Sequence, residues 1–167
     1  MTLERLWAAW RAEYVASVDS GDPAAECLFC ALPSQPPDEA LLVAVDERAY
    51  VALNLFPYTS GHLMVAPRAH ESDLERLADD DAVALLRLTQ RAVAALKTAY
   101  TPDGVNVGMN LGRAAGAGIP GHLHVHVLPR WNGDTNFMTS VAELRVLPES
   151  LPASLARLRA AWPGSAS

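Results

Sequence analysis

Three histidines alternate with apolar residues in the stretch GHLHVHVLPRW, which runs from Gly121 to Trp131. Successive side chains of a β-strand point to opposite faces, so His122, His124 and His126 share one face at steps of about 7 Å. The apolar residues between them share the other face. The alternation therefore predicts a strand that packs one face against a core and collects three imidazoles on the other.

Three interpretations of the histidine face are compatible with the residues alone. The first is a solvated polar strand face. The second is a mononuclear catalytic zinc site, because such sites take about three protein ligands and H-x-H on a strand can supply two. The third is covalent catalysis on phosphorus, which requires a neutral imidazole nitrogen as nucleophile while a hydrogen bond holds the other ring nitrogen.

The length and composition of the chain indicate one domain. With 167 residues, half of them hydrophobic, the chain can bury one core and is short for a second. We expect a single domain over 1–167, with an N-terminal helix and cysteine segment (1–40), a core (41–131) and a C-terminal extension (132–167).

Charge and hydropathy narrow the class of partner and the location. A net charge of −6 argues against broad contact with nucleic acid or acidic lipid. The N-terminal stretch lacks the pattern of a signal peptide, and no apolar run approaches the roughly 20 residues that span a bilayer. The sequence therefore predicts a cytoplasmic protein that binds neither nucleic acid nor membrane.

The pattern of short apolar runs and one long periodic segment predicts an α+β protein. The runs LLVAVD, AYVALN and HLMVAP indicate three strands of a meander, and VNVGMNL and HLHVHVLP indicate two more. An amphipathic helix is expected at the N-terminus over LERLWAAWRAEYVASV, and a short one near the C-terminus over SLPASLARLRAAW.

The segment that precedes VNVGMNL predicts the main helix. Ser72 and Glu75 have the spacing of a capping box, which predicts a helix that opens there and continues to Tyr100. Apolar residues recur along it with helical period at Leu86, Val93, Leu96 and Tyr100.

Two cysteines lie in an irregular segment rich in Pro, Gly and Ser. In a reducing compartment Cys27 and Cys30 are free thiols, so metal binding is a better interpretation than a disulfide. One C-x-x-C pair supplies only half of a tetrahedral zinc site. The alternative is a pair of small buried thiols.

The motif HLHVHVL resembles the signature of the histidine triad family of nucleotide hydrolases and transferases. The resemblance extends upstream to NLFPYTSGHLMVAPRAH and NVGMNLGRAAGAGIPGH and covers most of the chain. It is strongest to bacterial members similar to diadenosine tetraphosphate phosphorylases and hydrolases. It implies the family's fold, an antiparallel sheet of about five strands with one long helix, and a symmetric dimer.

The resemblance also implies roles for single residues. His124 matches the nucleophile that attacks an α-phosphorus and forms a nucleotidyl-histidine, which water or phosphate then resolves. His126 matches the histidine that assists the leaving group, and His62 the upstream histidine at the same phosphate. Asn54 occupies the position that binds ribose hydroxyls, and Asn110 matches a polar residue beside the phosphate; a turn or strand-end role is the alternative for both.

The glycine loop GRAAGAGIPG precedes the histidines and includes Gly118. Glycine lets backbone N–H groups approach a phosphate, so we expect Gly118 to contribute to substrate binding. A purely flexible connection is the alternative.

In the zinc-carrying branch of the family, two histidines complete the cysteine pair. The matching residues are His70 and His122, which join Cys27 and Cys30 in a closed, structural zinc site. A closed site has no free position for a Lewis-acid role. The resemblance implies no organic cofactor.

The function implied by the resemblance is a nucleotidyl hydrolase or transferase. Its substrates would be purine dinucleoside polyphosphates, such as diadenosine tetraphosphate, or other nucleoside 5′-phosphate derivatives, cleaved at the α-phosphorus. Two alternatives stay open: a nucleoside phosphoramidase, and a purine-nucleotide sensor that turns over slowly.

Overall fold

A computed structural model describes residues 27–134 and 149–164 of the chain. The N-terminal helix expected from the sequence lies outside the described residues. Within these ranges the helices are α1 (Leu28–Ala31), α2 (Asp79–Tyr100) and α3 (Leu151–Ala160), and the strands are β1 (Leu42–Val45), β2 (Ala49–Leu53), β3 (Leu63–Pro67), β4 (Gly104–Met109) and β5 (Val125–Arg130). Short 3-10 helices cover Leu32–Ser34, Leu74–Arg76 and Arg113–Ala115.

The five strands form one antiparallel sheet in the order β1-β2-β3-β5-β4. The predicted meander of three strands is confirmed, and so is the α+β class with one long helix. β5, the histidine strand, is inserted between β3 and β4, and Met64 of β3 pairs with His126. This pairing places the end of the histidine motif in the middle of the sheet.

The two faces of the sheet carry different cores. Leu123, Val125 and Val127 join the larger core cluster, which packs against α2 and α3. On the opposite face Phe29 and Tyr50 belong to a smaller apolar cluster beside the histidines. The predicted alternation is therefore present, but regular strand begins only at Val125. The preceding histidines lie on an irregular approach to β5 and not on the strand itself.

The long helix begins later than the predicted capping box. It starts at Asp79, after Ala78, which makes no side-chain cap bond. The box fails because Glu71 lies just before it and its Oε1 accepts the backbone N–H groups of Ser72 and Asp73. Aspartates at the first three helical positions instead favour the positive end of the helix dipole.

The predicted stripe of α2 is confirmed except at Leu86, because Leu96 is buried and Val93 and Tyr100 pack against the core. Leu85, Leu88 and Leu96 are buried, whereas Leu86 is 62% exposed and faces away from the core. Alanines at 92 and 95 and Thr89 complete the buried face. Small residues there let the helix lie close to the sheet.

The C-terminal helix α3 is confirmed and is tied to the rest of the fold by Glu149. Ser150 caps the helix, its Oγ accepting the N–H of Ala153. Glu149 accepts hydrogen bonds from Tyr100 at 2.6 Å and Ser154 at 2.7 Å. No helix among the described residues has both the length and the apolar composition needed to cross a membrane.

Candidate active site and metal centre

Two thiols and two imidazoles converge at the start of α1. Cys27 and Cys30 come from its first turn, His70 follows β3, and His122 lies on the approach to β5. The four ligand atoms all lie within 4.8 Å of one another. Sγ of Cys30 is 3.2 Å from Nδ1 of His70, and Sγ of Cys27 is 3.4 Å from Nδ1 of His122.

This donor set fits zinc. Ordinary Zn–S and Zn–N bonds at a tetrahedral angle separate sulfur from nitrogen by about 3.6 Å, close to the distances found here. Nε2 of His122 donates to the carbonyl oxygen of Pro67 at 2.9 Å, which directs Nδ1 to the cysteines. Burial lowers the pKa of His122, and a neutral ring is the ligand form. The cluster is a structural zinc site with four protein ligands.

His124 is held in one tautomer beside this cluster. Its Nδ1 lies 2.9 Å from the carbonyl oxygen of His122 and must donate, because a carbonyl only accepts. In the neutral ring the lone pair is therefore on Nε2. Burial lowers the pKa of His124, although the hydrogen bond to the carbonyl opposes this shift. The neutral ring is thus favoured near pH 7, and it is the form that can act as a nucleophile.

His62 and His126 form a hydrogen-bonded pair with defined proton positions. The backbone N–H of Tyr58 donates to Nδ1 of His62, so the proton of His62 is on Nε2. That N–H faces Nδ1 of His126 at 2.9 Å, which must accept. Nε2 of His126 consequently carries a proton. The ring centroids of His124 and His126 are 4.9 Å apart, so a ring with a lone pair on Nε2 lies next to a ring with an N–H at Nε2.

A cavity of about 290 Å³ is lined by both His124 and His126. This volume is near the lower end of the range for small-molecule sites. Most of the remaining lining is apolar and comes from the cysteine segment, the loop after β2 and the glycine loop, including Leu28, Phe29, Leu32, Leu55, Phe56 and Ile119. Such walls suit a flat aromatic group, with the two histidines at one end.

The predicted polar residues occupy different places. Asn54 lines the cavity, and its Oδ1 accepts the N–H of Phe56 while Nδ2 lies 3.4 Å from Nδ1 of His62. Gly118 also lines the cavity. Asn110 is not among the lining residues of the described chain; its Nδ2 donates to the carbonyl of Gly116 and pins the glycine loop.

Sequence reasoning missed the aromatic residues around the histidines. Phe29 stacks on His124 with 4.6 Å between the ring centroids, and the ring centroids of Tyr58 and His62 are 4.7 Å apart. Phe29 falls between the two cysteines in CLFC, a position that ties it to the metal site. Tyr58 lies four residues before His62 in FPYTSGH, and only the turn geometry brings its ring and amide to that histidine.

The sequence of this chain matches the family model described as HIT domain over residues 36–133. The chain belongs to the histidine triad (HIT) family. Over 96% of its length, and 85% of the relative, it is 40% identical to a protein of Mycobacterium tuberculosis named AP-4-A phosphorylase. It is therefore a nucleotide-processing enzyme of the HIT family.

Solved structures of HIT proteins have the same fold. A zinc-bound histidine triad family protein from Mycobacterium smegmatis superposes with a TM-score of 0.66 at 32% identity, covering 81% of this chain and 92% of its own. A hypothetical histidine triad nucleotide-binding protein from Sulfolobus tokodaii gives 0.65 at 27% identity, covering 81% and 91%. The zinc-bound relative agrees with the zinc site assigned to the cluster here.

Proposed function

We propose that this HIT enzyme cleaves dinucleoside polyphosphates, such as diadenosine tetraphosphate, at the α-phosphorus through a nucleotidyl group on His124. The observation that carries the proposal is the hydrogen bond from Nδ1 of His124 to the carbonyl of His122. It leaves the lone pair on Nε2 in a ring that lines the cavity. The similarity to a protein named AP-4-A phosphorylase supports this class of substrate.

In the first step Nε2 of His124 forms a bond to the α-phosphorus. The bond from that phosphorus to the bridging oxygen breaks, and the oxygen leaves with the rest of the polyphosphate. The bond then leaves positive charge on the imidazole. The carbonyl of His122 stabilises this charge through the Nδ1 proton, because a hydrogen bond strengthens when its donor is charged.

Nε2–H of His126 donates a hydrogen bond to the leaving oxygen, which departs as part of a polyphosphate anion. This N–H is the protonated position defined by the hydrogen bond from His62, and the ring of His126 is next to His124. In the second step an oxygen of the acceptor bonds to the phosphorus and the P–N bond to His124 breaks, which returns His124 to its neutral form. When water is the acceptor, its proton is released to the solvent. Water yields AMP, whereas inorganic phosphate yields ADP.

The cavity and the metal centre have supporting roles. The apolar walls would hold the base of the transferred nucleotide, and Asn54 would reach its ribose. Gly118 and the neighbouring backbone would approach the phosphates. The zinc, when bound, supplies structural cross-linking between α1 and the approach to β5.

We propose inorganic phosphate as the acceptor on the basis of the similarity to the protein named AP-4-A phosphorylase. Diadenosine tetraphosphate is incubated in ¹⁸O-labelled water with and without phosphate, and products are separated by chromatography. We expect ATP and ADP with phosphate, and ATP with ¹⁸O-labelled AMP without it. Two molecules of ADP formed in the absence of phosphate would contradict attack at the α-phosphorus. AMP formed at the same rate in both samples would contradict phosphate as acceptor.

We also propose that the protein is cytoplasmic and that its cysteines stay reduced. We further propose a homodimer that forms through β4, one of the two edge strands of the described sheet. Val107 and Met109 on β4, with Leu111 after it, are 52%, 37% and 44% exposed. A second copy would cover this edge and the exposed Leu86 of α2. Sedimentation should give the mass of two chains for the wild type and the mass of one chain for Val107→Asp. A monomeric wild type would contradict this part.

A further inference from the structure

We infer that Phe29 is a positioning residue for the ring of His124, and that the metal centre controls both contacts that orient this ring. The inference rests on the proposed function of His124 as nucleophile. It adds a residue that does not react and gives the structural zinc an effect on the covalent step.

The first orienting contact is aromatic stacking. The rings of Phe29 and His124 are 4.6 Å apart at an interplanar angle of 24°. Phe29 is 1% exposed and sits in α1 between Cys27 and Cys30, so its backbone is fixed on both sides by metal ligands. Stacked aromatic pairs of this kind restrict rotation of the ring about its Cβ–Cγ bond.

The second orienting contact comes from a metal ligand itself. The carbonyl that accepts Nδ1–H of His124 belongs to His122. The ring of His122 is held at Nδ1 by the cysteines and at Nε2 by the carbonyl of Pro67. The two groups that fix the plane and the tautomer of His124 are therefore both attached to the metal cluster.

A hydrogen bond from Tyr50 also holds Phe29 in place, so we expect loss of the metal to loosen Phe29 only in part. The hydroxyl of Tyr50, a fully buried side chain, donates to the carbonyl of Phe29 at 2.7 Å. Loss of the metal therefore leaves α1 partly attached. The expected result is a His124 ring that samples more orientations while the cavity still binds nucleotide, so the rate of the covalent step falls more than the affinity.

The experiment compares the zinc-loaded wild type with Phe29→Leu, Ala31→Ser and the chelator-treated wild type. Ala31 shares α1 but does not line the cavity, so Ala31→Ser is the control. Three quantities are measured: zinc per chain, the ¹H–¹⁵N NMR signal of the His124 ring, and the single-turnover rate of adenylyl-protein formation from diadenosine tetraphosphate. AMP affinity is measured by calorimetry.

We expect Phe29→Leu to keep its zinc and to form the adduct about five- to tenfold more slowly. Phe29 also lines the cavity, and leucine keeps an apolar side chain there, so AMP affinity should fall less than the rate. The Nδ1–H signal of His124, protected in the wild type, should broaden in Phe29→Leu and in the metal-free protein. Ala31→Ser should match the wild type in all measurements.

Failure of the inference is distinguishable from failure of the proposed function. If the wild type forms an adduct and Phe29→Leu forms it equally fast with an unchanged ring signal, Phe29 does not position His124. If the wild type forms no adduct, the proposed function fails, and the ring signal alone decides: broadening in Phe29→Leu supports positioning and an unchanged signal overturns it. Should chelation unfold the chain, the zinc-loaded Phe29→Leu still gives the answer.

Discussion

Nε2 of His62 lies 2.9 Å from Nδ1 of His126, and the proton between them belongs to His62. This assignment follows because the backbone N–H of Tyr58 donates to Nδ1 of His62, which leaves the ring proton on Nε2. His62 is fully buried and does not line the cavity. We therefore propose that His62 fixes the proton on Nε2 of His126 and does not itself contact the phosphate.

The first prediction separates these two roles of His62. His62→Ala removes the donor to His126, so we expect adduct formation to slow by about tenfold or more, as for loss of an oriented hydrogen-bond donor at the leaving oxygen, with AMP affinity nearly unchanged. His62→Gln can place an N–H near Nδ1 of His126 and should recover part of the rate. Single-turnover kinetics and calorimetry measure both. A loss of AMP affinity with an unchanged saturated rate would instead indicate a phosphate ligand.

The second prediction concerns the metal. We expect one zinc per chain in the wild type and in His124→Ala, and almost none in Cys27→Ser, because Cys27 supplies one of the four ligands. Zinc held at about a thousandfold above its dissociation constant stabilises the fold by about 4 kcal/mol, so Cys27→Ser should unfold at much lower urea concentration. Elemental analysis and urea titration test this. Loss of zinc from His124→Ala would make His124 a ligand and contradict the assignment.

The third prediction compares two glycines with nearly equal positive φ. Gly61, just before His62, has φ +78°, and a Cβ there would lie 2.7 Å from Cε2 of Tyr100. Gly133 has φ +77° with open space around it. Both alanine variants bear a positive-φ penalty of about 1–2 kcal/mol, and Gly61→Ala should cost at least about 1 kcal/mol more through the clash. Equal free energies of unfolding would contradict the close approach.

The fourth prediction is a pH dependence of stability. Burial raises the pKa of Glu149, but the hydrogen bonds from Tyr100 and Ser154 and the charge of Arg157 outweigh it and hold this pKa below its ordinary value. A depressed folded pKa contributes stability that is fully present above the ordinary carboxyl pKa of about 4.3 and is lost as the pH falls through the folded value.

Glu149→Gln should therefore cost about 1–2 kcal/mol in the free energy of unfolding at pH 7, as expected for charged hydrogen bonds, and much less near pH 2.5. The surface variant Glu75→Gln is the control and should change stability by less than about 0.5 kcal/mol at both values. Urea titrations at the two pH values decide. If the cost of Glu149→Gln does not change with pH, the negative charge of Glu149 does not contribute to the free energy of unfolding.

The sequence predicted those parts of the fold that local pattern determines. Strand alternation and turn residues identified the meander and the histidine strand, and the segment SLPASLARLRAAW identified α3. The start of α2 was missed because Glu71, just outside the supposed capping box, binds the amides of Ser72 and Asp73. The exposure of Leu86 depends on which side of the helix meets the sheet, which is tertiary information.

Within the candidate site, too, residues in short motifs were predicted, and contacts that depend on the tertiary structure were missed. Family resemblance selected the four metal ligands and the histidines at the cavity, because each belongs to a short motif. The stacking of Phe29 on His124 joins residues 95 positions apart and has no local signature. The role of Asn110 in pinning the glycine loop depends on the path of that loop, which glycine leaves undetermined by sequence.

The most direct test of the account is the identity of the atom that carries the nucleotide. Diadenosine tetraphosphate labelled at the α-phosphorus is mixed with enzyme, quenched rapidly in base, and the digested protein is analysed by mass spectrometry. We expect an AMP adduct on His124 that is stable in base and lost in acid, absent from His124→Asn and present in His126→Asn at a slower rate. Turnover with no adduct at any quench time, or an adduct on another residue, would contradict the account.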